Sequence, residues 1–311
     1  MTAKNNSAKI EGRLRDKATL IALVMERHFH KIRDYCILTK PEVNLLILMT
    51  TSAGYYLGAR GPFHWTGLVN TLLGTLLVAS GTATLNQWME RRWDGQMRRT
   101  ANRPLPSGRV TPREALLLGV LLSLTGAGYL LLSVNALTSL LATATLASYL
   151  LIYTPLKRRT PLCTLLGAFP GAMPTLIGWA GAADSLNLQS GVLFAVLFLW
   201  QFPHFLAIAL MYREDYARAG YRMLPAFDLD SKFTRAEIVA FTVALILTTL
   251  LSVASQPSAS MAGLVLLAGI FLLYHVVRLA AAGSKGAASK VLHASVAYLP
   301  VVLAVLALTK H

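Results

Sequence analysis

The chain holds two cysteines in 311 residues, Cys36 and Cys163. They share no metal-ligand spacing and are too few for a disulfide framework, so both read as structural. Charge is also scarce, at 14% of residues against about 25% in soluble domains, and acids are the rarer sign, with 14 Asp and Glu against 29 Lys and Arg. So little charge excludes an ordinary water-soluble domain. The tail 1–40 lacks a short apolar core with a small-residue cleavage site, which argues against a secretory signal, and its Glu11, Asp16, Glu26 and Asp34 argue against an acid-poor transit peptide. It reads as a basic cytoplasmic tail with an interfacial helix through Leu20, Ile21, Val24 and Ile32.

What is abundant is apolar sequence, 55% of the chain. Stretches near the length of about 20 residues that spans a bilayer recur at 42–59, 66–86, 114–134, 136–154, 161–182, 190–211, 236–255, 259–281 and 291–309. The expected fold is all-α, a polytopic membrane protein of nine transmembrane helices. The net charge of +15 would suit nucleic acid if the cations formed a patch, but they alternate with the spans. With a cytoplasmic N-terminus, residues 1–40, 87–113, 155–160, 212–235 and 278–290 carry 27 of the 29 Lys and Arg, and only Arg60 and Lys310 lie opposite. That is the positive-inside asymmetry of an inserted protein. The partner is a lipid bilayer and not nucleic acid, with the N-terminus inside and the C-terminus on the far side, in a bacterial inner membrane.

Asp94 is followed by "RPLP" ending at Pro106, and Asp215 by "RMLP" ending at Pro225, four helices later. This weak repeat divides a single domain, 41–311, into two four-helix units plus a ninth helix. The fifth span holds Gly167, Pro170, Gly171, Pro174, Gly178 and Gly181. It reads either as a helix broken beside a cavity or as close helix packing through small residues.

The richest polar cluster, "NQWMERRWDGQMRRTANRPLPSG" at 86–108, stands at the mouth of the second span. Asn86, Glu90 and Asp94 are four apart, so on a helix they form one strip, each turned about 40° from the last. Oxygen ligands of this kind suit Mg²⁺ shared with substrate phosphates, and the adjacent Arg91, Arg92, Arg98, Arg99, Arg103 and Arg109 match phosphate oxygens. The plain alternative is a solvated helix end with local i,i+4 ion pairs. Ionisable residues at the end of a span favour the functional reading. A second loop, "MYREDYARAGYRMLP", offers Asp215 flanked by Tyr212 and Tyr216; Asp228 and Asp230 read as surface charges. "YTPLKRRT" adds Lys157 and Arg158, for which topology determination alone is a sufficient reason.

The run Asn86, Glu90, Asp94, Met97, Arg99, Thr100, Arg103, Pro104 and Leu105 resembles the first aspartate-rich motif of the UbiA-type intramembrane prenyltransferases, and within them the haem-farnesylating branch. "LTKPEV" at 38–43, "YTPLKRRT" at 153–160 and "WQFPHFLAIALMYREDYARAGYRMLP" at 200–225 agree. The resemblance implies a helical bundle around a central cavity, Mg²⁺ as cofactor, farnesyl diphosphate and haem b as substrates, and haem O as product for haem-copper oxidases. It also implies a haem A synthase or oxidase assembly factor as a partner. It places metal and catalysis on Asn86, Glu90, Asp94 and Asp215, and substrate contacts on Lys40, Arg98, Arg99, Arg103, Lys157, Arg158, Tyr212 and Tyr216. His204, beside Pro203, either contacts haem iron or a propionate, or caps backbone carbonyls freed by the proline. Arg92 departs from the pattern, standing where a further acid is expected, and the second motif has one aspartate rather than two four apart. A quinone-precursor prenyltransferase would need the same acidic strip. A transporter would also use repeats and a Gly/Pro-rich span, but it leaves the strip unexplained.

Overall fold

The computed structural model describes residues 25–26, 29–228, 230–254 and 259–310. The expected interfacial positions Leu20, Ile21 and Val24 lie outside these. A helical segment over 29–38 precedes α1 (Pro41–Gly58), α2 (Trp65–Asp94), α3 (Pro112–Ser133) and α4 (Ala136–Leu156). Then come α5 (Cys163–Ala183), α6 (Leu188–Met211), the short α7 (Arg213–Arg218) and α8 (Leu224–Phe227), α9 (Lys232–Ala254), α10 (Ala259–Ala282) and α11 (Lys285–Leu308). Among the described residues, eight helices, α2 to α6 and α9 to α11, are long and apolar enough to cross a membrane. The ninth expected span is α1, which has 18 residues and opens with Pro41, Glu42 and Asn44.

Local signals set the boundaries. Thr111 and Glu114 form a reciprocal capping box at α3, as do Asn187 and Ser190 at α6, and Asn135 caps α4 through the Thr138 amide. The outer faces stay apolar: Leu132, Leu151, Leu188 and Leu251 are exposed, as lipid contact requires and water would penalise.

The fifth span is not broken. α5 runs through Pro170 and Pro174 as one helix, and its glycines serve close packing. A Cβ on Gly178 would stand 2.0 Å from Thr51 O, and one on Gly54 2.2 Å from Thr175 O. The α1 and α5 backbones therefore touch, the geometry that small residues permit between membrane helices. Gly178→Ala should destabilise the bundle by about 1–3 kcal/mol through overpacking, read as a lower apparent unfolding midpoint in detergent. Gly263→Ala, where nothing lies within 4 Å of the added methyl, should leave that midpoint unchanged.

The apolar core forms in two halves. One joins α5, α6, α9, α10 and α11 through residues such as Trp179, Phe202, Leu245, Leu272 and Tyr298; the other joins α2, α3, α4 and α5 through Val78, Leu130, Ala142 and Ile177. The polar ends of α2, α4 and α6 meet on one side. There Met97, Ala219 and Tyr221 form a small buried cluster that ties the segment after α2 to the one after α6, and the Arg222 amide donates to Lys157 O.

Candidate active site

α2 is a 30-residue helix, so it continues two turns past its apolar stretch and carries the acidic strip on its own rigid backbone. Asn86, Glu90 and Asp94 are 1%, 5% and 1% exposed. Burying two carboxylates is costly unless each is paired, and each is. Lys157 Nζ lies 3.1 and 3.3 Å from the Glu90 oxygens, Tyr221 OH donates to Glu90 Oε1 at 3.1 Å, and Asn86 Nδ2 donates to Glu90 Oε2 at 3.0 Å. Arg103 Nη1 lies 2.8 Å from Asp94 Oδ2, brought back by a turn in which Thr100 Oγ1 donates to Asp94 O. The local Glu–Arg pairing that a solvated helix end would show is absent from the strip.

Lys40, at a left-handed backbone position just before α1, directs Nζ to Asn86 Oδ1 at 3.3 Å. The turn is held by the Gln87 amide donating to Leu38 O and by Asn44 donating to Thr39 O and Ser80 Oγ. Burial, with Arg103 and Lys157 nearby, pushes the Lys40 pKa down to about 7. Burial alone would also lower Lys157, but Tyr153 and the Glu90 carboxylate more than offset it and hold its pKa well above the ordinary lysine value. Its ammonium lies 4.5 Å from the centre of the Tyr153 ring and 5.9 Å from that of Tyr149. Both tyrosines sit in a π-helical stretch of α4, Ser148–Tyr153, which ends beside Thr154, itself a partner of Asn86.

The structure thus brings together Lys40, Asn86, Glu90, Asp94, Arg103 and Lys157. Arg158 stacks 4.2 Å over Trp93, and its Nε is buried without a partner among the described residues. Asp215 is partly buried on α7, paired with Arg218 at 3.4 Å, while Arg99 lies 5.9 Å over the Tyr212 ring and Tyr216 meets Tyr221 edge to face. Arg92 and Arg98 are exposed. Among the described residues no three His, Cys, Asp or Glu side chains cluster as metal ligands. Asp228 caps α9 by accepting from the Thr234 amide, and Asp230 pairs with Lys232 on the surface. Tyr221, Gln87, Tyr149, Tyr153 and Thr154 were not singled out by the sequence. Tyr221 lies inside the quoted second motif, but a hydroxyl's partner 131 residues away leaves no spacing signal.

His204 is anchored through one ring nitrogen to the last helix, an arrangement that leaves its other nitrogen available. Its Nδ1 is 3.0 Å from Ser295 Oγ on α11, and its ring stacks on Trp200, whose Nε1 donates to Ser295 O. Ser295 Oγ donates to Leu292 O, so it accepts from His204 Nδ1–H, which leaves Nε2 as an acceptor.

Residues 47–298 match the UbiA prenyltransferase family. The chain belongs to this family. It is 48% identical over 290 residues to a protoheme IX farnesyltransferase of Solibacter usitatus, covering 90% of this chain and 99% of the relative. A structure of digeranylgeranylglyceryl phosphate synthase has the same fold at 17% identity, with a TM-score of 0.76 over 90% of this chain and 99% of its own. A UbiA homologue from Archaeoglobus fulgidus bound to GPP and Mg²⁺ aligns with a TM-score of 0.59 at 14% identity, over 88% and 99% of the two chains. This UbiA family member is therefore an integral membrane protein with a prenyltransferase fold, and the acidic strip lies within the matched residues.

Proposed function

We propose that the protein transfers a farnesyl group from farnesyl diphosphate to a vinyl group of haem b, giving haem O. The observation that carries this reading is the buried strip of Asn86, Glu90 and Asp94 fenced by Lys40, Arg103 and Lys157, together with 48% identity to a relative named for that activity. The donor set is all oxygen and suits Mg²⁺, which supplies charge neutralisation for a departing diphosphate. Asn86, Glu90 and Asp94 would hold it, with Asp215 closing from α7. The chain's own cations then have a second task. Lys40, Arg103 and Lys157 are positioned to bind diphosphate oxygens, and a bound anion would raise the Lys40 pKa from about 7 and keep its proton in place.

The allylic C1–O bond breaks and diphosphate leaves with the electron pair; the vinyl π electrons of haem form the new C–C bond at C1. Water adds to the resulting haem-side cation and loses a proton, leaving a hydroxyethylfarnesyl chain. Premature water would quench the farnesyl cation, so the reaction needs a site from which water is excluded. His204 Nε2 is the group offered to haem. His204→Ala should weaken haem binding, read as a changed Soret band, while farnesyl diphosphate binding stays near normal; equal loss of both ligands would assign His204 to the α6–α11 packing alone.

Orientation is tested by the two native thiols, since Cys36 is exposed near the strip and Cys163 is buried. A membrane-impermeant thiol reagent should label Cys36 in inside-out vesicles and not in intact cells. Labelling in intact cells would place the site on the wrong side for a cytoplasmic diphosphate. Haem analysis by mass spectrometry of membranes with and without the protein tests the activity itself.

A further inference from the structure

Away from the acidic strip, the turn between α10 and α11 borders a cavity of about 230 Å³ lined in part by His275, Arg278, Ser284, Gly286 and Lys290. Its lining holds no acid. The nearest carboxylate partner of this turn is engaged, since Glu214 pairs with Lys285 at 3.1 Å. Among the described residues Arg278 donates once, to Tyr274 OH at 3.3 Å, so most of its guanidinium donors remain for a ligand. His275 Nδ1 is buried without a hydrogen-bond partner among the described residues. Ser284 caps the Ala287 amide, leaving the Lys285 and Gly286 amides at the start of a 24-residue helix. Nothing lies within 4 Å of a Cβ built on Gly286, so an anion can approach that backbone closely.

The position says which anion. Leu267, Phe271, Tyr274 and Val277 are exposed on α10 and form the apolar flank directly before Arg278, where acyl chains give way to headgroups. We infer that the cavity binds the phosphate of an anionic membrane lipid in the leaflet on the side of the acidic strip. Arg278 and Lys290 supply charge, the α11 amides hydrogen bonds, and the His275 ring a further polar contact. Inorganic phosphate offers the same oxygens without the acyl chains, so the two sources are separable.

The test is lipid retention by the full-length protein in neutral detergent, measured by native mass spectrometry with phosphatidylglycerol, phosphatidylcholine or inorganic phosphate added. Each charge in contact with the bound headgroup contributes about fivefold to anionic-lipid affinity. R278Q/K290Q should therefore lose about twenty-fivefold of the preference for phosphatidylglycerol over phosphatidylcholine, while R278K/K290R keeps it. R113Q/K232Q removes the same net charge elsewhere and should change nothing. An equal loss in that control, or no loss in R278Q/K290Q, overturns the site. Displacement of phosphatidylglycerol by millimolar inorganic phosphate, abolished in R278Q/K290Q, would overturn the lipid assignment in favour of a soluble phosphate. All four positions are surface residues outside the catalytic machinery, and an unchanged size-exclusion profile and haem O yield check that the variants fold.

Discussion

Asp94→Asn is expected to lower turnover at least about a hundredfold, the range seen when one preorganised charge-stabilising group is lost, while the protein still inserts and expresses. The amide keeps the shape of the carboxylate and can still accept from Arg103, which is 24% exposed and can reach water if the pair weakens. The structural effect is therefore small and the chemical one large, because a neutral amide cannot meet the charge that Mg²⁺ requires. Asp215→Asn should cost as much activity with little loss of stability, since the amide can still accept from Arg218, the one ion-pair partner of Asp215 among the described residues. Turnover of purified protein across a Mg²⁺ titration checks both. Near-normal haem O formation by Asp94→Asn at limiting Mg²⁺ would remove Asp94 from the metal site.

Lys157→Met is expected to fail in two separable ways. Lys157 and Glu90 are a buried pair with side-chain exposures of 11% and 7%. Removing one member leaves a carboxylate with only Tyr221 and Asn86 as partners, and breaking such a pair costs about 3–5 kcal/mol. Pairing it with Glu90→Gln removes the orphaned charge, so the double variant should recover most of that stability yet remain inactive, because the proposed diphosphate-binding cation and one proposed metal ligand are both gone. The readout is a double-mutant cycle on the apparent unfolding midpoint in detergent alongside turnover. A double variant as unstable as Lys157→Met would mean that Lys157 acts through packing against Tyr149 and Tyr153 and not through Glu90.

The spans were legible because lipid leaves few choices and long apolar stretches become helices; their starts were less so, since the last helix begins at Lys285 behind its Ser284 cap and not at 291. The strip was legible for the same local reason, since residues four apart on one helix share a face whatever the rest of the fold does. What closes around it was not. Lys157 and Tyr221 reach Glu90 across 67 and 131 residues, and no periodicity encodes which loops meet. The π-helical stretch of α4 and the contact of α1 with α5 through Gly54 and Gly178 are also tertiary facts; the sequence offered glycines and prolines that fitted a broken helix equally well. His204 illustrates the limit most sharply, because its partner Ser295 lies on the last helix.

The most direct measurement is a reaction of purified protein with haem b and farnesyl diphosphate, with and without Mg²⁺, followed by the mass and absorption spectrum of the extracted porphyrin. The account predicts Mg²⁺-dependent conversion of haem b to haem O, lost in Asp94→Asn. Unchanged haem b, with farnesylation of a quinone precursor supplied in its place under the same conditions, would contradict it.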